Sequence, residues 1–287
     1  MYNGSFLEFI AEAQYSNHIY QYSESGTITH DVRAHEPHEG VVYYINRHGF
    51  PGREFIKNAD ILAIGDSVTA GIGVGSNNTW PWMVESMTGM SVNQLGISGA
   101  SIQVLLSAFL EFIEKFGKPK ILLALLPEVS RVWVYHNEYP FRHRYSVDIE
   151  SGIFMSHEKS RGFKTDIRGA SLDIDTCIQS SYNALMDISR ICSLLDIRFI
   201  FFPYLIGESH VYRGARMKNF LNPEKFMEED GYDDYMAYIK YLLDAKSCTR
   251  HENFDVAFWH CGVDNPPHPG MHEHLHFAEL FARELSR

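Results

Sequence analysis

Along the chain, short continuous apolar runs alternate with stretches of helical spacing. Asp60–Ile64 is a short, mostly apolar run ended by Gly65, which predicts a buried strand. Trp80–Thr88 has helical spacing, and Met90–Leu95 is a second strand-length run ending at Gly96. In Ser101–Phe116 the apolar residues Val104, Leu105, Phe109, Phe112 and Ile113 recur every three or four positions. They predict a helix that Gly117-Lys118-Pro119 closes. Lys120–Leu126 is a third strand stopped by Pro127, Asp175–Leu195 a long helix, and Arg198–Phe202 a fourth strand stopped by Pro203. Asp255–Trp259 is expected as a fifth strand and Met271–Leu285 as a final amphipathic helix. Strands alternating with helices predict a parallel sheet covered on both faces, an α/β architecture with its chemistry outside the carboxyl ends of the strands.

Three segments fall outside the alternation. Residues 1–59 form an N-terminal extension expected to pack on the core, which spans 60–287. Residues 131–174 and 204–250 are insertions rich in aromatic and charged side chains. Both leave the carboxyl end of a strand, so they are expected to act as lids or specificity loops.

Composition narrows the function classes. The 287 residues are 45% hydrophobic and 21% charged, an ordinary globular balance. The net charge of −11 argues against nucleic-acid binding, which needs a cationic surface to displace counterions, and against docking on anionic lipid. No run reaches the roughly 18 apolar residues of a membrane helix. Met1–Tyr20 lacks a basic n-region, and Glu8, Glu12 and Asn17 interrupt its apolar residues, so no signal peptide is expected. Cys177, Cys192, Cys248 and Cys261 show neither CxxC spacing nor disulfide density, which suits free buried thiols in a reducing compartment. The expected setting is cytoplasmic, or part of a virus particle.

The strongest chemical signal is Gly65-Asp66-Ser67, standing at the end of the first buried strand and followed by Gly71. A serine there stands at the rim where substrates bind. Gly65 permits a sharp turn, and the Ser67 amide can face a developing oxyanion. Asp66 could equally cap a short following helix. The serine needs a base from elsewhere in the chain.

This segment resembles block I of the SGNH (GDSL-type) hydrolase family, and the lead-in Tyr44–Phe50 with Arg53 is similar to that of many bacterial and phage members. Val92–Ser101 resembles the second block, with Gly96 in the oxyanion-hole position. Asp264-Asn265-Pro266-Pro267-His268-Pro269 resembles the last, ahead of the final helix. The resemblance runs from about residue 44 to the C-terminus, outside the two insertions. It implies a flavodoxin-like three-layer α/β/α sandwich with a parallel sheet. It also implies a serine esterase in which Ser67 is the nucleophile, His268 the base and Asp264 its orienting carboxylate. The amides of Ser67 and Gly96 would form the oxyanion hole.

Two features depart from the family pattern. After the third strand the family places an asparagine as a further oxyanion donor, whereas this chain reads Pro127-Glu128-Val129-Ser130-Arg131. Loss of such a donor typically costs about 2.7–4 kcal/mol of transition-state stabilisation. Arg131 or a residue of the lid insertions is a candidate replacement, and Arg131 is the one candidate substrate-binding residue. The family aspartate commonly stands three residues before the histidine; here Asn265 holds that place and Asp264 lies four before, so either Asp264 or a backbone carbonyl is expected to orient the imidazole.

Other signals point to less. His272-Glu273-His274-Leu275-His276 spells HExxH, but only eleven residues follow and none supplies the extended motif, so no metal is expected. Gly71-Ile72-Gly73-Val74-Gly75 lacks dinucleotide-loop spacing, and Asn93 stands where an acidic residue would close the second strand. No cofactor is expected. Trp133, Tyr135, Tyr139, Phe141 and Tyr145, with Arg131, Arg142 and Arg144, suit either loop packing or a substrate wall. Glu228, Glu229, Asp230, Asp233 and Asp234 read as solvated surface.

The sequence therefore predicts hydrolysis of a carboxylic ester, with small acyl esters or O-acetyl groups on carbohydrate as substrate. The alternative is an SGNH-like structural or interaction module of a larger assembly, held through the N-terminal extension, with weak or lost catalysis.

Overall fold

The computed structural model describes residues 7, 20–22, 27–31, 43–71, 74–127, 129, 131–133, 144–147, 154–156, 174–203 and 271–287. In chain order, β1 (Tyr20–Tyr22), β2 (Thr27–Asp31) and β3 (Tyr43–Tyr44) pair antiparallel. Next come β4 (Ile61–Gly65), α1 (Ser67–Ala70), α2 (Trp80–Thr88), β5 (Val92–Gly96), α3 (Ile102–Phe116) and β6 (Ile121–Leu126). The antiparallel strands β7 (Arg131–Trp133), β8 (Arg144–Val147) and β9 (Phe154–Ser156) follow. Then come α4 (Ile174–Leu194), β10 (Arg198–Pro203) and α5 (Met271–Leu285).

Four of the strands expected from sequence form one parallel sheet in the order β10-β6-β4-β5. Counting only these strands, the order is 2-1-3-4 from the β5 edge, the flavodoxin-like winding. The chain starts at β4, moves outward to β5, then crosses back to β6. The switch point therefore lies between β4 and β6, where open α/β sheets bind ligands.

Period-two alternation sends successive strand residues to opposite faces. Leu62, Ile64, Leu122, Ala124, Leu126, Phe199 and Phe201 pack on the α3 and α4 side with Leu105, Phe109, Phe112, Leu185 and Ile188. Ile61, Ala63, Ile121, Leu123, Leu125, Ile200 and Phe202 face Trp80 and Val84 of α2 and Phe277, Ala278 and Phe281 of α5. The result is a three-layer α/β/α sandwich, whose strands β4 and β6 read as continuous apolar runs because both faces are buried.

Local chemistry sets the helix ends. Ser101 caps α3, its Oγ accepting from the Val104 amide at 3.4 Å, and Pro81 occupies the first turn of α2, where its missing N–H costs nothing.

Residues before the sheet pack on it. Ile45, Phe50 and Phe55 are buried, and the Leu7 amide donates to Glu111 Oε2 on α3 at 2.9 Å. Asn46 holds the turn at 46–50 by accepting from the amides of His48 and Phe50. On edge strand β5, the Asn93 carboxamide accepts from the Ile56 amide and donates to the Ile56 carbonyl, both at 2.8 Å. Asn93 is buried, so the segment before the sheet is tied to it by a fully paired polar side chain.

The sequence pattern did not predict β1–β3 within the extension or β7–β9 within the first insertion. The expected fifth strand at Asp255–Trp259, the insertion at 204–250 and the acidic cluster at 228–234 lie outside the described residues. No helix among the described residues is long and apolar enough to cross a membrane.

Candidate active site

At the carboxyl end of β4 the chain turns through Gly65 and Asp66 into α1, whose first residue is Ser67. A Cβ on Gly65 would collide with Thr69 Oγ1 and with the Leu125 carbonyl of β6, so the close return of α1 over the strand requires glycine. Gly96 ends β5 in register with Gly65, and the Ile97 amide donates to the Gly65 carbonyl at 2.9 Å. A Cβ on Gly96 would strike the Ala70 backbone. These two glycines let α1 lie against the ends of both strands, with Ser67 7% exposed.

Asp66 does cap α1: its Oδ1 accepts from the Val68 amide at 3.0 Å. Its Oδ2 accepts from Arg131 Nη1 at 2.7 Å. The pair spans the switch point, since Asp66 follows β4 and Arg131 opens β7 after β6. Asp66 is 1% exposed at its side chain and Arg131 16%, so the carboxylate lies in a low-dielectric setting beside a cation. The link from β6 to β7 is itself anchored, because the buried Ser181 hydroxyl of α4 donates to the Val129 carbonyl at 2.8 Å.

A polar network leads away from α1. Thr69 Oγ1 accepts from Trp80 Nε1 at 3.2 Å, and the Thr69 carbonyl accepts from Gln94 Nε2 at 2.7 Å. Thr79 Oγ1 donates to Gln94 Oε1 at 3.1 Å. The Trp80 amide, the first of α2, donates to His274 Nδ1 on α5 at 3.1 Å. His274 is 0% exposed, and burial pulls its imidazole down from the ordinary 6.5 to about 3, so it is neutral and able to accept. Trp80 also stacks on Phe281 with centroids 4.8 Å apart. The middle histidine of the HExxH segment therefore joins two helices inside the core. Among the described residues, no group of three or more His, Cys, Asp or Glu side chains could hold a metal ion.

Of the site residues expected from sequence, Ser67 opens α1 after β4, Gly96 ends β5 against the Thr69–Ala70 backbone of the same helix, and Arg131 is engaged by Asp66. His268 and Asp264 lie outside the described residues. The aromatic segment is represented by Trp133 and Tyr145, on the paired strands β7 and β8. Sequence reasoning missed the partner of Arg131 and the inward role of His274. No local pattern links either pair, since 65 and 194 residues separate the partners.

No protein-family model matches the chain, and no curated protein matches it. Several solved structures are similar, two of them as follows. One is a lipolytic protein assigned to the G-D-S-L family from Desulfitobacterium hafniense, 16% identical, covering 79% of this chain and 99% of its own, with a TM-score of 0.38. The other is a member of the lipolytic G-D-S-L family from Veillonella parvula, 14% identical, covering 79% of this chain and 98% of its own, with a TM-score of 0.39.

Proposed function

We propose that this chain is a serine ester hydrolase of the SGNH type. The observation that carries the reading is the place of Ser67: first residue after the Gly65–Asp66 turn, at the carboxyl end of a buried parallel strand, on the short helix that packs against Gly96, and at the switch point of the sheet. A hydroxyl so placed meets a substrate in the crevice where such sheets bind ligands.

In this mechanism Ser67 Oγ attacks the acyl carbonyl while His268 takes the hydroxyl proton, and Asp264 holds the imidazole in the required tautomer. The amides of Ser67 and Gly96 bind the oxyanion of the tetrahedral intermediate. His268 then returns the proton to the departing alcohol, leaving Ser67 acylated. Water, deprotonated by His268, attacks the acyl-enzyme and releases the carboxylic acid and the free serine. Small acyl esters, including O-acetyl groups on carbohydrate, are the proposed substrates.

The test is p-nitrophenyl acetate hydrolysis by the wild type, Ser67→Ala and His268→Ala. Turnover lost in both variants supports the reading. Equal background rates in all three, with p-nitrophenyl esters of longer acyl groups likewise hydrolysed no faster than background, overturn it.

A further inference from the structure

We propose that Arg131 is a positioning residue for the nucleophile turn, acting on Ser67 through the Asp66 carboxylate; this deepens the serine-hydrolase reading and rests on it.

Geometry comes first. The two Asp66 oxygens are committed in different directions, Oδ1 to the Val68 amide of α1 and Oδ2 to Arg131 Nη1. Rotation of the Asp66 side chain loosens both contacts. The residue between the strand and Ser67 is thus held from the α1 side and from across the switch point. Arg131 is itself fixed, because Ser181 anchors Val129 two residues earlier and Arg131 pairs with Ser146 of β8. The guanidinium therefore reaches the turn from a braced strand, and one ion pair ties the antiparallel unit β7–β9 to the serine.

Charge is the second part. A buried carboxylate adjacent in sequence to the nucleophile would oppose negative charge developing on the acyl oxygen, and low dielectric strengthens that opposition. Arg131 neutralises it at 2.7 Å. Removing one member of a buried pair leaves an uncompensated charge, whereas replacing both members is tolerated far better. A residue acting only on substrate binding has no such signature.

The test compares wild type, Arg131→Lys, Arg131→Gln, Asp66→Asn and the double variant Asp66→Asn/Arg131→Gln in p-nitrophenyl acetate hydrolysis. Fluorophosphonate labelling of Ser67 is followed alongside, with circular dichroism as the folding control. Arg131→Gln is expected to lower kcat about 100-fold, the scale of an ångström-level misplacement, with KM changed by less than about twofold. Labelling slows in parallel, and Arg131→Lys retains part of the rate. The double variant recovers at least about tenfold over Arg131→Gln, because the carboxamide oxygen that Asp66→Asn introduces still accepts from Val68 and no lone carboxylate remains. If Arg131→Gln does not fold, the lysine and double variants carry the comparison. An unchanged kcat in folded Arg131→Gln overturns the inference, as does an effect confined to KM or a folded double variant no faster than the single. A wild type that neither turns over nor labels at Ser67 defeats the hydrolase reading, and the inference falls with it. An active wild type with an equally active Arg131→Gln defeats the inference alone.

Discussion

His274 Nδ1 accepts the backbone N–H of Trp80 at 3.1 Å, so a side chain on α5 caps the first turn of α2 from 194 residues away in sequence. Only the neutral imidazole can accept this bond, and burial holds His274 at about 3, below its ordinary 6.5. The folded state therefore resists a proton that the unfolded chain accepts. This contribution is complete above pH 6.5 and is lost as pH falls from there toward 3, at up to about 1.4 kcal/mol per pH unit for one proton. His274→Gln keeps an acceptor without titrating, so the gap between wild type and this variant in urea unfolding should narrow or reverse as pH falls across that window. His274→Ala strands a buried donor and should cost about 1–3 kcal/mol near pH 7.5. A wild-type-to-glutamine gap that is flat in pH would contradict the cap.

The Asn93 carboxamide gives a second prediction. It satisfies both backbone groups of Ile56 from the edge strand, at 2.8 Å each. Asn93→Leu keeps the branched heavy-atom skeleton and removes both bonds, and Asn93→Ala, which cannot overpack, is measured beside it. The expected cost is about 1–3 kcal/mol, with faster hydrogen exchange at the Ile56 amide and little change at Phe109 in α3. Unchanged exchange at Ile56 would show that the lead-in is held by its aromatic contacts alone.

The parallel sheet was legible because its strands are buried on both faces: Ile61–Gly65 and Ile121–Leu126 are continuous apolar runs with glycine or proline at their ends. Helix α2 was read with its observed bounds from apolar spacing alone. The strands β1–β3 and β7–β9 were not, since runs of two to five residues are too short for alternation to stand out. At the site, Gly65, Ser67 and Gly96 carried local signals, and the capping role of Asp66 follows from a carboxylate just before a helix. The Asp66–Arg131 pair is a product of the sheet winding, which brings strand ends together, and the Trp80–His274 pair of two helices packed on one face of the sheet, both regardless of sequence distance. His274 sat within a metal-like pattern that drew attention to its neighbours rather than to the core.

The thiols supply a third prediction. Cys177 and Cys192 are buried, and desolvation pushes the Cys192 thiol up to about 12. The thiolate is the reactive form, so neither cysteine should react with iodoacetamide in the folded protein at about pH 8. Both should be alkylated once the chain is unfolded in concentrated urea. Peptide mass spectrometry distinguishes the two states, and native labelling at Cys192 would place that face of α4 in contact with solvent.

Gly96→Ala tests the contact between β5 and the serine turn. The added methyl meets the Ala70 backbone, and neither the strand nor α1 can move without disturbing the Gly65–Gly96 register. Overpacking of this kind costs about 1–3 kcal/mol. The displacement falls on α1, so kcat for p-nitrophenyl acetate should drop about 100-fold or more at temperatures where the variant is still folded. Gly89→Ala is the control: its Cβ would meet nothing within 4 Å, although its φ of +69° strains any side chain. It should lose stability with little change in kcat. Equal loss of kcat in both variants, measured on folded protein, would mean that rate follows global stability rather than the placement of α1 against Gly96.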